Sequence, residues 1–200
     1  EAPKVAEFFD FVSTLGVEGV TVSPGFSYGK APAQENFLAR NKTKEMFREI
    51  FRLGKGRGWA LNHSSLYLDF LAGNQTYHCT PWGNPTRNVF GWQKPCYLLV
   101  GEGYASSFRK LIEETDWEKY GTGINPKCAD CMVHSGYEAT AVNDTFSNPL
   151  KALKVFLRGP RTDGAMAPEV PFFYKDDTTT TPRLVAETET ASSCSKKRVA

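Results

Sequence analysis

The residues of this chain best suited to chemistry are its cysteines. Four lie in the body, Cys79, Cys96, Cys128 and Cys131, and a fifth, Cys194, lies near the end. Cys128-Ala129-Asp130-Cys131 is a C-x-x-C pair, and its thiols share one face if the segment is helical. Sixteen residues separate Cys79 from Cys96, and the two flank a stretch that reads as a hairpin, which would bring them together. Two close pairs make a four-thiolate site, and soft thiolates in a tetrahedral set select zinc or an iron–sulfur cluster. The gap is like the longer gap of some zinc ribbons, although the first pair is not itself C-x-x-C. Two buried cysteines beside a chance pair fit the spacing equally well, so the residues alone leave both open. Cys194 reads as a free thiol in a tail.

Other polar residues add less. His134, three positions after Cys131, is an alternative ligand, but a hydrogen-bonded structural histidine is the better reading, as it is for His63 and His78. Glu113, Glu114, Asp116 and Glu118 read as a solvated helix end rather than as paired catalytic carboxylates, and Asp69 stands isolated on its helix. There is no Gly-rich phosphate loop of the Walker or dinucleotide type and no legible Ser-His-Asp order. Four glycosylation sequons, beginning at Asn41, Asn62, Asn74 and Asn143, carry meaning only in a secreted chain.

The elements that must position these residues follow from periodicity. Val5, Phe8, Phe9, Val12 and Leu15 recur at helical steps and predict a helix over 3–16. Gly19 to Val22 is a short β-branched run ending at Ser23-Pro24-Gly25, as a buried parallel strand would. A second helix is expected over about 35–53, a second strand at Trp59-Ala60-Leu61, and a short helix capped by Ser64 or Ser65. Residues 3–73 thus read as two turns of a βα repeat. Two parallel strands do not make a stable sheet alone, so this half reads as the end of a larger α/β barrel. Thr86 to Phe90 and Cys96 to Val100 read as a hairpin turned at Gly91 to Pro95. Helices are then expected after Ser106, from Cys128 to about Asn143, and from Asn148-Pro149 to Leu157. Residues 176–200 read as a disordered tail.

Composition excludes several classes. Twenty-four basic against 22 acidic residues leave a net charge of +2 over 200 residues, which makes no case for nucleic acid or an anionic surface as partner. No apolar run approaches the roughly 20 residues of a membrane span, and residues 1–16 lack the pattern of a secretory signal. A cytoplasmic chain with reduced, metal-binding cysteines is therefore expected. Because the first residue is Glu1, the chain reads as processed or as a piece of a longer one.

The cysteine spacing and its surroundings carry a resemblance. Cys79, eleven residues, Gly91, four residues, Cys96, and later Cys128-x-x-Cys131 resemble the auxiliary-cluster pattern of radical S-adenosylmethionine (radical SAM) enzymes, in the twitch arrangement that is a shorter relative of the SPASM domain. The segments VEGVTVSPGFSYGKAP, CTPWGNPTRNVFGWQKPCYLL, EETDWEKYGTG, KCADCMVHSGYEATAV and NPLKALKVFLRGP resemble the C-terminal half of the hopanoid-biosynthesis radical SAM family of adenosyl-hopene transferases, over about residues 3–170.

The resemblance implies an α/β fold: the C-terminal part of a partial (β/α) barrel over 1–76, a twitch-like hairpin-plus-helices module over 77–160, and an extension and tail over 161–200. It implies that Cys79, Cys96, Cys128 and Cys131 hold an auxiliary 4Fe-4S cluster. Ser23, Gly25 and Tyr28, just after the barrel strand, would line an S-adenosyl-L-methionine or substrate pocket. Trp82, Phe90 and Trp92 would shape a surface for a triterpene, though hairpin packing accounts for them equally. In the family a 5′-deoxyadenosyl radical adds to the alkene of diploptene and gives adenosylhopane. Members carry a C-x3-C-x2-C motif for the catalytic cluster, and none occurs in these 200 residues. The chain alone is therefore expected not to cleave S-adenosylmethionine, and a separate N-terminal radical SAM half is an expected partner. Relatives are also expected to carry a third cysteine where this chain has Ser135. A zinc-binding interaction module and an inactive truncated product remain the alternatives. Association with the membrane periphery fits a lipid substrate, without any visible anchor.

Overall fold

The computed structural model describes residues 1–26, 33–99 and 101–171, together with the backbone of 173–174 and 183–184. Among these residues it is a mixed α and β protein with six α-helices and a small three-stranded antiparallel sheet. The helices are α1 (Ala2–Thr14), α2 (Arg40–Gly54), α3 (Ser65–Leu71), α4 (Phe108–Glu114), α5 (His134–Ser147) and α6 (Pro149–Arg158).

Helix α3 is the centre of the core. Leu66, Tyr67, Phe70 and Leu71 are fully buried against α2, α5 and α6. Burying each large side chain of this kind is worth about 1.5–3 kcal/mol. Ser64 caps α3, its Oγ accepting the Tyr67 N–H at 3.2 Å, as the sequence predicts. Phe70 stacks on Tyr137 of α5 at 4.7 Å and on Tyr77 at 5.4 Å. Helix α1 lies on α2 and closes against Trp59, whose ring meets Phe9 edge-on at 5.0 Å and whose Nε1 donates to Asp10.

The two expected parallel strands meet in a single bridge. Val20 donates to the Ala60 carbonyl at 2.7 Å and accepts from Asn62 N–H at 2.9 Å. Beyond the bridge His63 takes over: its Nε2 accepts the Val22 N–H at 2.9 Å. A side chain thus supplies what a longer ladder would, and the pairing goes no further.

The hairpin exists in another register. Strands β1 (Arg87–Asn88), β2 (Gly91–Gln93) and β3 (Tyr104–Ala105) pair in that order. The turn is Val89-Phe90, exposed at 94% and 75%, with Asn88 Oδ1 accepting the Phe90 N–H. Gly91 to Gln93, expected as the turn, is the central strand, and 96–99 is turn rather than strand. Gly91 explains the choice: at φ 130° a Cβ there would lie 2.7 Å from the Ala105 carbonyl oxygen, so the sheet closes where only glycine fits.

Three further boundaries differ. The second helix, expected from about residue 35, begins at Arg40, after a separate 3₁₀ turn at Gln34–Asn36. The C-x-x-C segment is a 3₁₀ turn, Pro126–Cys128, followed by irregular chain, and α5 starts only at His134. Asn125 explains the start, its side chain capping Lys127 N–H. Ser107, not Ser106, caps α4. The stretch 161–171 is not loose: it straps back over the helices, Ala167 N–H donating to the Gly73 carbonyl and Thr76 Oγ1 to the Pro168 carbonyl. The expected disordered tail falls mostly outside the described residues, except that the backbone of β5 (Arg183–Leu184) pairs with β4 (Phe173–Tyr174).

Candidate metal centre

Cys79, Cys96, Cys128 and Cys131 line one partly enclosed cavity of about 520 Å³, counting its mouth. They come from three separate segments, and each is held by a different device. Cys79 ends the extended chain after α3. The next residue pins it to α5: Thr80 N–H and Oγ1 both donate to the Gly136 carbonyl, at 2.7 and 3.0 Å. Gly136 itself must lack a side chain, because a Cβ there would lie 2.6 Å from Cys79 Sγ. Cys96 sits in the turn after β2, where Gln93 Nε2 donates to the Tyr97 carbonyl.

The C-x-x-C loop is held by its carbonyls. Thr122 Oγ1 donates to the Cys128 carbonyl at 3.1 Å, and Arg40 Nη1 donates to the Cys131 carbonyl at 2.5 Å. Thr122 is also hydrogen-bonded to the Tyr137 hydroxyl, and Tyr137 lines the cavity and stacks on Phe70. The α3–α5 core is therefore joined to both ends of the loop.

All four cysteines are free thiols and half-buried. Burial pushes the Cys79 thiol well up, and the neighbouring Cys131, Cys128 and Cys96 push it the same way. Cys131 is pushed up to about 12, chiefly by burial, against the opposing Val133 backbone. Burial also raises Cys128, opposed by the Gly121 backbone. Thiols clustered this way repel one another as anions, so a bound cation is what would make thiolates of them together. The donor set fits a soft metal or an iron–sulfur cluster. Among the described residues no three His, Cys, Asp or Glu groups gather tightly enough to hold a single metal ion.

The other expected site residues divide. Ser23 Oγ accepts the His134 N–H at 3.2 Å and so caps the start of α5. Gly25 lies beside Phe37, and the next residue, Phe26, lines the cavity. Tyr28 lies outside the described residues, as does Cys194. Ser135 lines the cavity, its Oγ 3.4 Å from the Tyr97 hydroxyl. His134 does not line it, and its buried Nδ1 has no hydrogen-bond partner among the described residues. His63 is a structural clip: its ring proton is assigned to Nδ1, which meets Glu138 at 2.9 Å, while Glu138 Oε1 accepts Ser64 N–H. His78 is exposed. Glu113, Glu114, Asp116 and Glu118 are all exposed at the end of α4, a solvated helix end. Trp82, Phe90 and Trp92 pack on Trp117, Tyr104 and Phe108 respectively.

Sequence reasoning missed Arg40, Thr122, Tyr137 and Gly136. Nothing local marks them, because each acts on a partner distant in the chain; a glycine in a helical stretch was the one visible signal. It also passed over Asp69, which is fully buried and accepts from Asn74, Gln75 and Arg161 N–H, with Arg158 at 3.4 Å.

Fold and site together define a small mixed α and β protein that gathers four cysteines around one cavity. The chain belongs to the family described as domain of unknown function DUF3463, whose model matches residues 20–155. That span runs from the parallel bridge through all four cysteines into α6. No curated protein and no solved structure matches the chain.

Proposed function

We propose that this chain is the auxiliary-cluster and substrate half of a radical SAM adenosyl-hopene transferase. The observation that carries the reading is the convergence of Cys79, Cys96, Cys128 and Cys131, from three segments, on one cavity. Their spacing in sequence is the spacing on which the resemblance rests. The parallel pairing of Val20 with Leu61 supports the finer fold reading, in which residues 1–76 are the last βα units of a partial barrel.

In this reading Cys79, Cys96, Cys128 and Cys131 would hold an auxiliary 4Fe-4S cluster, which would supply a redox centre there. The chain's own residues do the rest. Thr122 and Arg40 orient the C-x-x-C loop, Gly136 leaves room for the Cys79 sulfur, and Tyr137 and Val133 shield the cavity. Ser23 and Gly25 lead the chain from the bridged strand to Phe26 at the cavity, where S-adenosyl-L-methionine or the triterpene diploptene would approach. With no C-x3-C-x2-C in these 200 residues, cleavage of S-adenosylmethionine falls to a separate N-terminal radical SAM segment. The product would be adenosylhopane, and a membrane-lipid substrate fits a cytoplasmic protein working at the membrane periphery.

Anaerobic reconstitution with iron and sulfide tests the reading. The expected result is a brown protein with broad visible absorbance, lost in Cys128→Ala and Cys131→Ala. Wild-type protein that takes up no iron would overturn it. Stoichiometric zinc without sulfide, in protein purified without air, would replace it with a structural four-thiolate module.

A further inference from the structure

Arg40 opens α2 and is only 7% exposed. A buried cation needs a reason, because desolvation is costly unless the charge is used. Its guanidinium lies 5.3 Å from the ring centroids of both Phe70 and Tyr137. Nη1 donates to the Cys131 carbonyl, Nε pairs with Glu169 at 3.1 Å, and the backbone N–H donates to Asp130 Oδ1 at 2.9 Å. The middle of the C-x-x-C pair thus caps α2, and the first side chain of α2 grips the end of that pair. Lys44, one turn on and equally buried, shares Glu169. Behind the cysteine cavity Arg40 and Lys44 thus face the carboxylates of Glu169 and Asp130, with the Arg40 guanidinium the charge turned toward the Cys131 loop.

We propose that Arg40, with Lys44 behind it, is a charge-compensating and positioning residue of the cysteine site, holding the Cys131 loop and favouring the reduced state of the cluster bound there. The proposal rests on the cluster reading above. Four thiolates around a doubly charged core leave an anionic site, and an added electron makes it more so. A buried guanidinium is weakly screened by salt or water, so it stabilises the more negative state more than the less negative one.

The test is a redox titration of the reconstituted chain with dithionite, followed by visible absorbance, in wild type, R40Q and R40K. Iron content is measured alongside. In R40Q, reduction becomes at least tenfold less favourable, a fall of about 59 mV for one electron. R40K, which keeps the charge but not the fork, returns most of that shift. A merely structural role would alter iron content or stability and leave the potential of the loaded fraction where it was. Should R40Q fail to load iron, K44M decides: it keeps every contact between Arg40 and Cys131, and a lower potential supports the proposal while an unchanged one overturns it. Equal potentials in loaded wild type and R40Q also overturn it and leave the cluster reading standing. Wild type that takes up no iron overturns both.

Discussion

At the scale of single residues, the site depends as much on what is missing as on what is present. Gly136 is chosen for its lack of a side chain. In Gly136→Ala the new methyl would meet Cys79 Sγ at 2.6 Å, so Cys79 must move. The expected outcome is lower iron content on reconstitution with little change in the melting curve, since alanine suits a helix. Asp69 shows the opposite case, a residue that looks idle in the sequence and is a hub in the fold. It ties the end of α3 to Asn74, Gln75 and the backbone at Arg161. Asp69→Ala takes the acceptor from the part-buried donors of Asn74, Gln75 and Arg161, and a loss of about 2 kcal/mol is expected in urea unfolding.

At the scale of elements, α3 and α5 carry the centre. Phe70 joins Tyr137, Tyr77 and the Arg40 cation in one stack. Phe70→Ala should cost about 3–5 kcal/mol and lower iron uptake as well, because Tyr137 positions Thr122. The clip between the bridged strand, α3 and α5 makes stability pH-dependent. Burial alone would raise the Glu138 carboxyl, but hydrogen bonds from His63 and Ser64 outweigh it and hold the carboxyl below its ordinary value. A carboxyl lowered in the folded state contributes stability that is full above its unfolded value of about 4.3. That contribution is lost as pH falls through the lower folded value. Urea melts between about pH 3 and pH 6 should show a shallower loss of stability on acidification in Glu138→Gln than in wild type.

At the scale of the whole molecule, the strap 161–171 locks the helices, and Glu169 is its anchor on Lys44 and Arg40. Glu169→Gln strands two buried cations. Because Glu169 is itself 37% exposed, water softens the penalty, and a fall of about 2 kcal/mol in unfolding free energy is expected. The outer face of α5 and α6 is strongly apolar: Phe146, Leu150, Phe156 and Leu157 are each more than 70% exposed. Patches of this kind promote association. The double change Leu150→Glu and Phe156→Lys is expected to raise solubility, read by light scattering, without lowering the melting temperature.

Helix positions were legible in the sequence wherever a single face repeats at helical steps, as in α1, α2 and α6. The cap at Ser64 and the stop at Gly159 were legible too, since both are local. The same holds for the four cysteines as a set, because no other residue type in this chain offers soft ligands at such spacing. The hairpin register was not legible: Val89 and Phe90 look like strand residues, and only the close approach of the Ala105 carbonyl to Gly91 places the turn there. Nor was the shell around the cysteines. Arg40 reaches Cys131 across 91 positions, and Cys79 reaches Gly136 across 57. Contacts that distant leave no periodicity in the chain. Burial and close packing decide them, and these exist only once the helices have met.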